Sequence, residues 1–306
     1  MRGSIIKVSG LIKKFKDTVA VDGISFEIME GECFGLLGPN GAGKTSTIRI
    51  IHCVSTATSG NVTVAGLPSH IDNREIKKIT GVVPQENLLD VDLTVFENMR
   101  MFSEFFDIPK SEAVPRIREL LKFVELEDKA KSRIDELSTG MKRRLIIAKA
   151  LINKPKIIIC DEPTTGLDPQ ARHMIWQRLR YLKNNGATIL LTTQYMEEAE
   201  QLCDRLVIMN KGKILKEGLP AKLIADEIGR EVIEVRISEA EEPRLMSELS
   251  GIRFNHERAG DTLFLYCSEC TDIMRKIVAL NLPNVLHRPA SLEDVFLKLT
   301  GRSLIE

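Results

Sequence analysis

The stretch Gly38-Pro39-Asn40-Gly41-Ala42-Gly43-Lys44-Thr45 decides the fold of this chain. It follows the apolar run 32–37, which predicts a buried strand, and it precedes the sequence 46–51, which predicts the first turns of a helix. In that context the pattern G-x-x-x-x-G-K-[ST] is typical of a loop that binds phosphate. Because glycine adopts positive φ without a steric cost, we expect the three glycines of the stretch to turn backbone N–H groups towards an anion.

Two side chains of this loop carry specific expectations. Lys44 supplies a positive charge for the β- and γ-phosphates, and Thr45 offers a hydroxyl to a magnesium ion. The predicted nucleotide-binding residues are Gly38, Pro39, Asn40, Gly41, Ala42, Gly43, Lys44, Thr45 and Ser46. The alternative is a glycine-rich turn with an accidental Lys-Thr pair, which the flanking strand and helix argue against. The loop alone predicts a bound nucleoside triphosphate and does not say what the nucleotide is used for.

Length and composition predict a globular protein of two domains. A chain of 306 residues can hold one ordinary domain and a small one, each with its own core, and we expect this division. Hydrophobic residues at 43% and charged residues at 28% argue against disorder. The 43 basic and 43 acidic residues balance, so the chain lacks the excess positive charge that drives nucleic-acid binding. We therefore expect no nucleic-acid partner.

The cysteines predict little chemistry. They lie at positions 33, 53, 160, 203, 267 and 270, mostly singly in apolar surroundings, as is typical of reduced cytosolic thiols. Cys267 and Cys270 have a C-x-x-C spacing, which suggests redox chemistry or half of a zinc site. The sequence has no second such pair, and the nearest histidine along the chain is His256. Because a structural zinc site normally needs four ligands, we expect no function for this pair.

The N-terminal region predicts antiparallel strands beside the phosphate loop. Segments 5–15 and 18–28 are rich in β-forming residues and are joined by a short turn at 16–17. If these strands pack near the loop, Phe15 lies at its mouth, where an aromatic ring can stack on adenine. A half-buried strand phenylalanine that touches no ligand explains this residue equally well on the sequence alone.

A helical region separates the phosphate loop from the next acidic motif. Between Asp92 and Lys154 apolar residues recur at steps of three and four, and we expect these stripes to pack in a core. The region ends in the sequence LSTGMKRR at 137–144, where Ser138 is a natural N-cap for the helix that follows. Cations in the first turns oppose the helix dipole, so this helix start is a second candidate anion site.

In the segment 156–163, the four apolar residues 157–160 predict a buried strand, and two carboxylates emerge at its carboxyl end. Open α/β sheets bind ligands at the carboxyl ends of their strands, so Asp161 is placed to hold magnesium and Glu162 to take a proton from an attacking water. The alternative is a polar loop after a strand, without a catalytic role. Gln85 ends another predicted strand, 81–85, and from there its amide can reach a bound metal or water.

Over residues 4–220 the chain resembles the nucleotide-binding subunit of an ATP-binding-cassette (ABC) transporter, which is a P-loop NTPase. Six motifs carry the resemblance in order: the phosphate loop, Gln85 as the Q-loop, LSTGM at 137–141 as the signature sequence, IIICDEP as the Walker B strand, Gly166-Leu167-Asp168 as the D-loop, and Gln194 at the switch position. The resemblance implies an α/β fold with an antiparallel β subdomain and an inserted helical subdomain at about 88–155.

The resemblance also implies an ATPase that uses ATP and Mg²⁺. In that family two domains pair head to tail, so that each ATP lies between the phosphate loop of one copy and the signature helix of the other. The residues that the family pattern assigns as catalytic are Glu162, Gln194 and Gln85. Magnesium would be held by Thr45, Gln85 and Asp161. The remaining implied nucleotide contacts are Phe15, Ser138, Thr139, Gly140 and Asp168.

Two positions depart from the family pattern. The signature usually has the sequence Leu-Ser-Gly-Gly-Gln, whereas Thr139 and Met141 stand here in place of a glycine and the glutamine. Threonine adds a Cβ beside the phosphate, but the N–H donors and Ser138 remain, so we expect binding to persist. The switch position is usually histidine and is Gln194 here. A glutamine amide can still donate to a γ-phosphate, but it cannot titrate.

Residues 221–306 predict a small accessory domain. Strands and helices in the order β-α-β-β-α-β suggest a ferredoxin-like module with a regulatory or dimer-stabilising role. Its last helix, 292–299, presents an apolar stripe that packs against its own domain or serves a partner. Within the family, segments 192–200 and 291–302 look most like the drug-export branch typified by daunorubicin-resistance ATPases, which also includes exporters of polysaccharides and nodulation factors.

The leading hypothesis is an ATPase subunit that powers export through a separate membrane permease. No apolar run approaches the ~18 residues that a membrane helix needs, and the N-terminus lacks a signal-peptide core. We therefore expect a peripheral protein on the cytoplasmic face of the membrane, paired with a second nucleotide-binding subunit that is an identical copy rather than a different chain. The alternatives are a soluble cassette ATPase that acts on ribosomes or DNA, and a regulatory subunit that binds ATP without hydrolysing it.

Overall fold

Long alternating strands near the N-terminus and short, fully apolar strands after them build the larger of two units in this computed structural model. The first unit ends at Lys216 and the second begins at Glu217. The structure describes residues 3–282 and 284–300. Gly301 and Arg302 of the predicted segment 291–302 lie outside the described residues, as do Pro283 and 303–306 of the predicted C-terminal domain.

The elements are numbered in chain order. The strands are β1 (Ser4–Phe15), β2 (Thr18–Met29), β3 (Cys33–Leu37), β4 (Ser59–Val64), β5 (Leu67–Pro68), β6 (Thr80–Val83), β7 (Ile157–Asp161), β8 (Thr188–Thr193), β9 (Arg205–Asn210), β10 (Lys213–Gly218), β11 (Glu231–Arg236), β12 (Asn255–Ala259), β13 (Thr262–Cys267) and β14 (Val285–Pro289). The helices are α1 (Lys44–Ile51), α2 (Asn73–Ile79), α3 (Val95–Glu104), α4 (Lys110–Phe123), α5 (Thr139–Ala150), α6 (Pro169–Asn184), α7 (Met196–Leu202), α8 (Pro220–Glu227), α9 (Glu242–Glu248), α10 (Thr271–Ala279) and α11 (Leu292–Thr300).

The central sheet positions the site. Its strand order is β10-β9-β3-β8-β7-β6, and β3, β6, β7, β8 and β9 pair in parallel. Every residue of β3, β7 and β8 is buried, as expected for parallel strands that are covered on both faces. The carboxyl ends of these strands therefore deliver the phosphate loop, Asp161 and Thr192 to one edge of the sheet.

The predicted antiparallel and helical subdomains are both present. A second sheet has the order β2-β1-β4-β5, with antiparallel pairs throughout. Between β6 and β7 the chain forms α3, α4 and α5, and α3 begins with a capping box between Thr94 and Glu97. Within the described residues, no helix is both long and apolar enough to cross a membrane.

Three short helices escaped the sequence analysis. These are α2, α7 and α8, which have seven or eight residues each. Helices of this length show at most two turns of periodicity, so tertiary packing decides them rather than the local pattern. In α2, for example, Ile76 is the single buried residue. Pro220, which marked a boundary in the sequence, occupies the first turn of α8, where its missing N–H is tolerated.

The second unit confirms the ferredoxin-like order. Its antiparallel sheet has the order β12-β13-β11-β14, and residues of α9 and α10 join the core on one face. The sequence predicts a helix at 239–249 and a strand at 252–256, whereas α9 begins at Glu242 and β12 at Asn255, each three residues later. The apolar stripe of α11 packs within its own unit, since Leu292 and Val295 are buried and α11 contacts α8.

Candidate functional site

The phosphate loop joins β3 to α1, which begins at Lys44 with Gly43 as its N-cap. Gly41 and Gly43 have φ of 78° and 101°, in the left-handed region that favours glycine. A Cβ on Gly43 would lie 2.4 Å from the carbonyl oxygen of Ala20 on β2. The first N–H groups of α1 have no partner within the helix, so the loop ends in donors at the positive end of a helix dipole.

Gly38 requires a correction. We expected positive φ at this residue, but it is absent from the positive-φ glycines of the described residues. Its lack of a side chain matters for packing instead, because a Cβ there would lie 2.3 Å from the carbonyl oxygen of Met209 on β9. Gly38 is therefore needed for close approach of the loop to the neighbouring strand.

Lys44 lies at the centre of the site. Its Nζ donates to the carbonyl oxygens of Gly38 at 2.7 Å and Pro39 at 3.1 Å, and it lies 3.4 Å from Oε1 of Glu162. The Lys44 and Glu162 side chains are 4% and 5% exposed, so this is a buried ion pair. Burial lowers the pKa of Lys44, and the Glu162 carboxylate partly opposes that effect. An anion that binds here finds a desolvated cation whose charge water screens little.

Asp161 is fixed by two hydroxyl groups. Its Oδ1 accepts hydrogen bonds from Thr192 Oγ1 at 2.6 Å and from Thr45 Oγ1 at 3.2 Å. A carboxylate and a hydroxyl this close form a set of hard oxygen donors, which is the kind that Mg²⁺ prefers. The predicted partnership of Thr45 and Asp161 is therefore present, and the donors fit the ion. Thr192 was not predicted, although its register opposite Asp161 at the ends of two parallel strands is the signal that would have found it.

Glu162 has an unusual backbone. Its φ is 46°, a left-handed conformation that costs a non-glycine residue about 1–2 kcal/mol. Its N–H bonds to the Thr192 carbonyl at 3.0 Å, and its Oε2 accepts from Gln85 Nε2 at 3.1 Å and Thr165 Oγ1 at 3.2 Å. The Gln85 amide thus donates to Glu162, whereas its predicted metal role would aim its side chain at the ion held by Thr45 and Asp161. The neighbours hold the carboxylate at a defined place despite the backbone strain.

Arg143 connects the loops around this carboxylate. Only 5% of the residue is exposed, and its guanidinium donates to the carbonyl oxygens of Asp161 at 3.1 Å, Glu162 at 2.8 Å and Pro163 at 2.5 Å. A further bond reaches the carbonyl of Pro84, just before Gln85. A single side chain of α5 therefore ties the Q-loop to the loop that carries Glu162. This role could not be predicted, because no sequence pattern distinguishes Arg143 from its basic neighbours Lys142 and Arg144.

The expectation that the cations at the start of α5 mark an anion site is wrong for two of them. Arg143 turns inward to the carbonyls described above, and Arg144 donates to the carbonyl of Val124 at 2.9 Å and pairs with Glu125. A guanidinium can donate to several carbonyl oxygens at once. Counting basic residues in a sequence does not show whether they bind an external anion or the carbonyls of their own chain.

A cleft of about 590 Å³ opens beside the loop. It is lined by Phe15, Thr18, Val19, Ala20, the loop residues 40–46, Gln85, Glu162 and Lys211. Phe15 is 51% exposed, and Lys13 Nζ lies 4.7 Å from its ring centroid. The structure thus places this aromatic ring at the mouth of the loop, with Lys13 over one face, and a base could stack on the ring there. Lys211 is a lining residue that the sequence analysis did not single out.

The signature residues lie elsewhere. Among the described residues that line the cleft, none is Ser138, Thr139, Gly140 or Asp168. Ser138 caps α5 by accepting from Met141 N at 3.2 Å, and both Ser138 and Thr139 are exposed. Asp168 is also exposed and caps α6, accepting from Ala171 N at 2.9 Å. The structure therefore brings the phosphate loop and the carboxylates together but leaves the signature helix start on the surface.

Gln194 directly follows β8 and is half-buried. It comes two residues after Thr192, which pairs in register with Asp161 on β7. This position puts Gln194 at the same edge of the sheet as the two carboxylates. It does not line the cleft beside the phosphate loop.

Comparison with known proteins gives consistent matches. A family model described as "ABC transporter" matches residues 21–165, and one described as "Nodulation factor export protein NodI, C-terminal domain" matches residues 244–301. The chain is 45% identical over 301 residues to the "Nod factor export ATP-binding protein I" of Cupriavidus metallidurans, covering 98% of this chain and 99% of the relative. The protein of the same name from Burkholderia lata is 46% identical over 292 residues, covering 95% of each chain.

Solved structures match about seven-tenths of the chain. A dimeric bacterial ABC transporter cassette is 31% identical with a TM-score of 0.65, covering 70% of this chain and 98% of that one. A dimeric cassette in a post-hydrolysis state, bound to ADP and Pi, has a TM-score of 0.64 at 30% identity, with the same coverage. A transporter subunit from Clostridium perfringens, part of the complex cbiONQ, has a TM-score of 0.67 at 28% identity, covering 73% of this chain and 91% of that chain.

Proposed function

The chain belongs to the ABC transporter family, in which it is an ATP-binding and ATP-hydrolysing subunit, and from this premise we propose that it powers export through a separate permease. Its relatives are named for export of Nod factor, and we propose a cargo of that class. The drug-export branch suggested by segments 192–200 and 291–302 remains a prediction. The alternative of a cassette ATPase that acts on ribosomes or DNA is not favoured by these relatives.

One observation carries the dimeric part of the proposal. The phosphate loop and its carboxylates share a cleft, whereas Ser138 and Thr139 are exposed at the start of another helix. The free N–H groups at the start of α5 can bind an anion. Because α5 does not line the cleft beside the phosphate loop of its own chain, that anion would be the nucleotide held by another copy. We propose that two identical copies pair head to tail, so that Ser138, Thr139 and Gly140 of one copy cap the nucleotide held by the other.

The roles of the site residues follow from their contacts. Lys44 and the loop N–H groups would hold the β- and γ-phosphates and stabilise the charge on the transferred group. Glu162 would accept a proton from the attacking water, since its carboxylate is fixed by Gln85 and Thr165. Phe15 would stack on the adenine, Gln194 would donate to the γ-phosphate, and Asp168 would contact the nucleotide.

We propose Mg²⁺ as the cofactor. Thr45 and Asp161 would hold it, and Gln85 would join them after releasing Glu162. When bound, the ion would neutralise charge on the phosphate oxygens. Thr192, which donates to Asp161, would keep the carboxylate oriented towards Thr45.

We propose that the permease docks beside Gln85, on the cytoplasmic face of the membrane. A cleft of about 350 Å³ is lined by Val54, Gln85, Leu88 and Phe102, among others. Val54 and Leu88 are 63% and 60% exposed and line the same cleft, so they form an apolar surface beside Gln85 that a partner could cover. An apolar helix of the permease would cover them and would touch the loop that contacts Glu162.

We further propose that the cassette spans 4–220, with its helical subdomain at about 88–155, and that 221–306 is an accessory domain. The larger unit of the structure contains the whole phosphate site, and the second unit has a core of its own. An accessory domain with an independent core fits a regulatory or dimer-stabilising role.

A cross-linking experiment tests the head-to-tail pairing. Asn40 and Thr139 are both exposed, so each can be replaced by cysteine without disturbing a core. The variants Asn40→Cys and Thr139→Cys, both carrying Glu162→Gln, would be mixed with Mg-ATP and oxidised. We expect a disulfide-linked dimer from the mixture, and much less from either variant alone or without nucleotide. The parent Glu162→Gln protein controls for native cysteines. No cross-link in the mixture would contradict the proposed pairing.

The switch position gives a second prediction. Gln194 cannot titrate, so we expect the pH profile of ATP hydrolysis to lack a step from this residue near neutrality. The substitution Gln194→His should introduce a step in the pH profile of turnover at about pH 6.5, because an imidazole changes charge in that range. Measuring turnover from acid to mildly alkaline pH for both proteins checks this. A native profile that already has the step, unchanged in the variant, would refute it.

A further inference from the structure

The accessory unit brings four possible metal ligands to one end of its core. Sequence analysis assigned no function to Cys267 and Cys270, because the nearest histidine along the chain is His256. In the folded unit a different histidine, His287, lies beside them. One ligand atom each of Glu231, Cys270 and His287 lies within 4.8 Å of the others. The two cysteine sulfurs are bonded to each other in the structure, so Cys267 belongs to the same cluster.

The sheet register explains why these residues meet. Glu231 is the first residue of β11 and lies opposite Cys267, the last residue of β13. On the other side of β11, Glu231 pairs with Pro289 and Ile233 pairs with His287. Cross-strand partners share a face, and so do residues two apart, so Glu231, Cys267 and His287 all point to the face covered by α9 and α10. Cys270 immediately precedes α10, which starts over the same end.

The donors suit a borderline transition metal. Thiolate sulfur, imidazole nitrogen and carboxylate oxygen are the ligands that tetrahedral Zn²⁺ takes, and C-x-x-C is its usual cysteine spacing. With bond lengths of about 2.0–2.3 Å, the ligands of a tetrahedral site lie roughly 3.3–3.8 Å apart. His287 Nε2 and Glu231 Oε2 are already 3.5 Å apart. Small side-chain rotations would therefore complete the site.

Burial and charge agree with a bound cation. Cys267 and Cys270 are 3% and 0% exposed, whereas the side chains of His287 and Glu231 are 38% and 37% exposed. The cluster thus has two buried sulfur ligands on one side, and on the other side two partly exposed ligands past which an ion can enter from solvent. The Cys270 N–H also donates to Glu231 Oε2 at 3.0 Å, which orients the carboxylate towards the sulfur.

We propose that, with its cysteines reduced, the accessory unit binds one Zn²⁺ through Cys267, Cys270, His287 and Glu231. Binding would release the thiol protons, since thiolates are the ligands. The disulfide and the metal site are mutually exclusive states of the same sulfurs. Disulfides are rare in the reducing cytosol, so the thiol state would prevail at the location proposed above, which is the one step that rests on the proposed function.

Titration of the reduced, metal-stripped full-length protein with Co²⁺ tests the site. We expect one Co²⁺ per chain, with the absorption of a tetrahedral thiolate complex, and its displacement by Zn²⁺. Cys270→Ser should weaken the thiolate-to-cobalt band, because Cys267 alone then supplies it, and His287→Ala should weaken Co²⁺ binding roughly 100-fold or more. Protein whose sulfurs are left bonded should bind no Co²⁺ with a thiolate band.

Two matched controls accompany these variants. His256→Ala removes an exposed histidine of β12 in the same sheet, and Cys53→Ser removes a half-buried cysteine of the other unit, so both should bind Co²⁺ like the native chain. If Cys270→Ser fails to fold, His287→Ala and Glu231→Gln alter partly exposed side chains and keep the test open. Absence of a thiolate band in the reduced native protein, or equal affinity in His287→Ala, would overturn the proposal. ATP hydrolysis is not a readout, so failure here is distinct from failure of the proposed function.

Discussion

The Glu162→Gln variant is expected to bind ATP and to lose nearly all turnover. General-base catalysis is worth about 100- to 10,000-fold in rate, and a glutamine amide of the same shape cannot take the proton. Binding should persist or tighten, because the substitution frees Lys44 from the ion pair at 3.4 Å that a phosphate must otherwise displace. With hydrolysis blocked, the variant should accumulate as a dimer in the presence of Mg-ATP. Steady-state phosphate release, a fluorescent ATP analogue and size-exclusion chromatography measure the three effects.

The neighbouring Glu86→Gln is a matched control for this result. Glu86 is exposed and follows Gln85 directly, so its substitution changes the same charge near the same loop. We expect its turnover to stay within about threefold of the native value. If Glu162→Gln also kept near-native turnover, Glu162 would be excluded as the general base, and the left-handed backbone at this position would need another explanation.

The Arg143→Met variant should lose both stability and activity. Methionine fills a similar volume but donates no hydrogen bonds, so the carbonyls of Pro84, Asp161, Glu162 and Pro163 lose their shared donor. Leaving a buried carbonyl oxygen without its donor costs about 1–3 kcal/mol. Without Arg143, the strained peptide at Glu162 should relax, and a displacement of the carboxylate by ~1 Å lowers turnover on the order of 100-fold.

Urea unfolding followed by the fluorescence of Trp176 measures the loss of stability. Trp176 is 1% exposed on α6 in the same unit, and it is the single tryptophan of the chain, so it reports on this unit alone. Lys142→Met is the matched control, because it removes a neighbouring, only half-buried cation. We expect its unfolding midpoint to change little. Equal midpoints for Arg143→Met and the native protein would show that the guanidinium does not organise these loops.

Much of the fold could be predicted because its signals are local. The phosphate loop combines glycines, a lysine and a threonine at fixed spacing, and this pattern needs no tertiary information. The apolar run before Asp161 identified a buried strand for the same reason. The ferredoxin-like order of the second unit followed from alternation and turn residues, although α9 and β12 each begin three residues later than predicted.

What could not be predicted depends on contacts between distant segments. Arg143 is 20 residues from Pro163 and 59 from Pro84, and no sequence pattern announces that its guanidinium will meet their carbonyls. Likewise, His287 joins Cys270 only because the sheet places β14 next to β11. The glycine at position 38 correctly indicated a structural constraint, but the sequence could not show which one. Close approach of another strand and positive φ both favour glycine.

The position of Arg143 has a consequence for how a pair of sites would work. The helix that begins at Ser138, proposed to cap the nucleotide of a second copy, also carries the guanidinium that holds the Glu162 peptide. Nucleotide bound by one copy would then affect the position of Glu162 in the other copy, because a single helix, α5, contacts both. The two sites would then bind ATP cooperatively, and the rate of hydrolysis would depend sigmoidally on ATP concentration. Hydrolysis at one site while the other is empty would be rare.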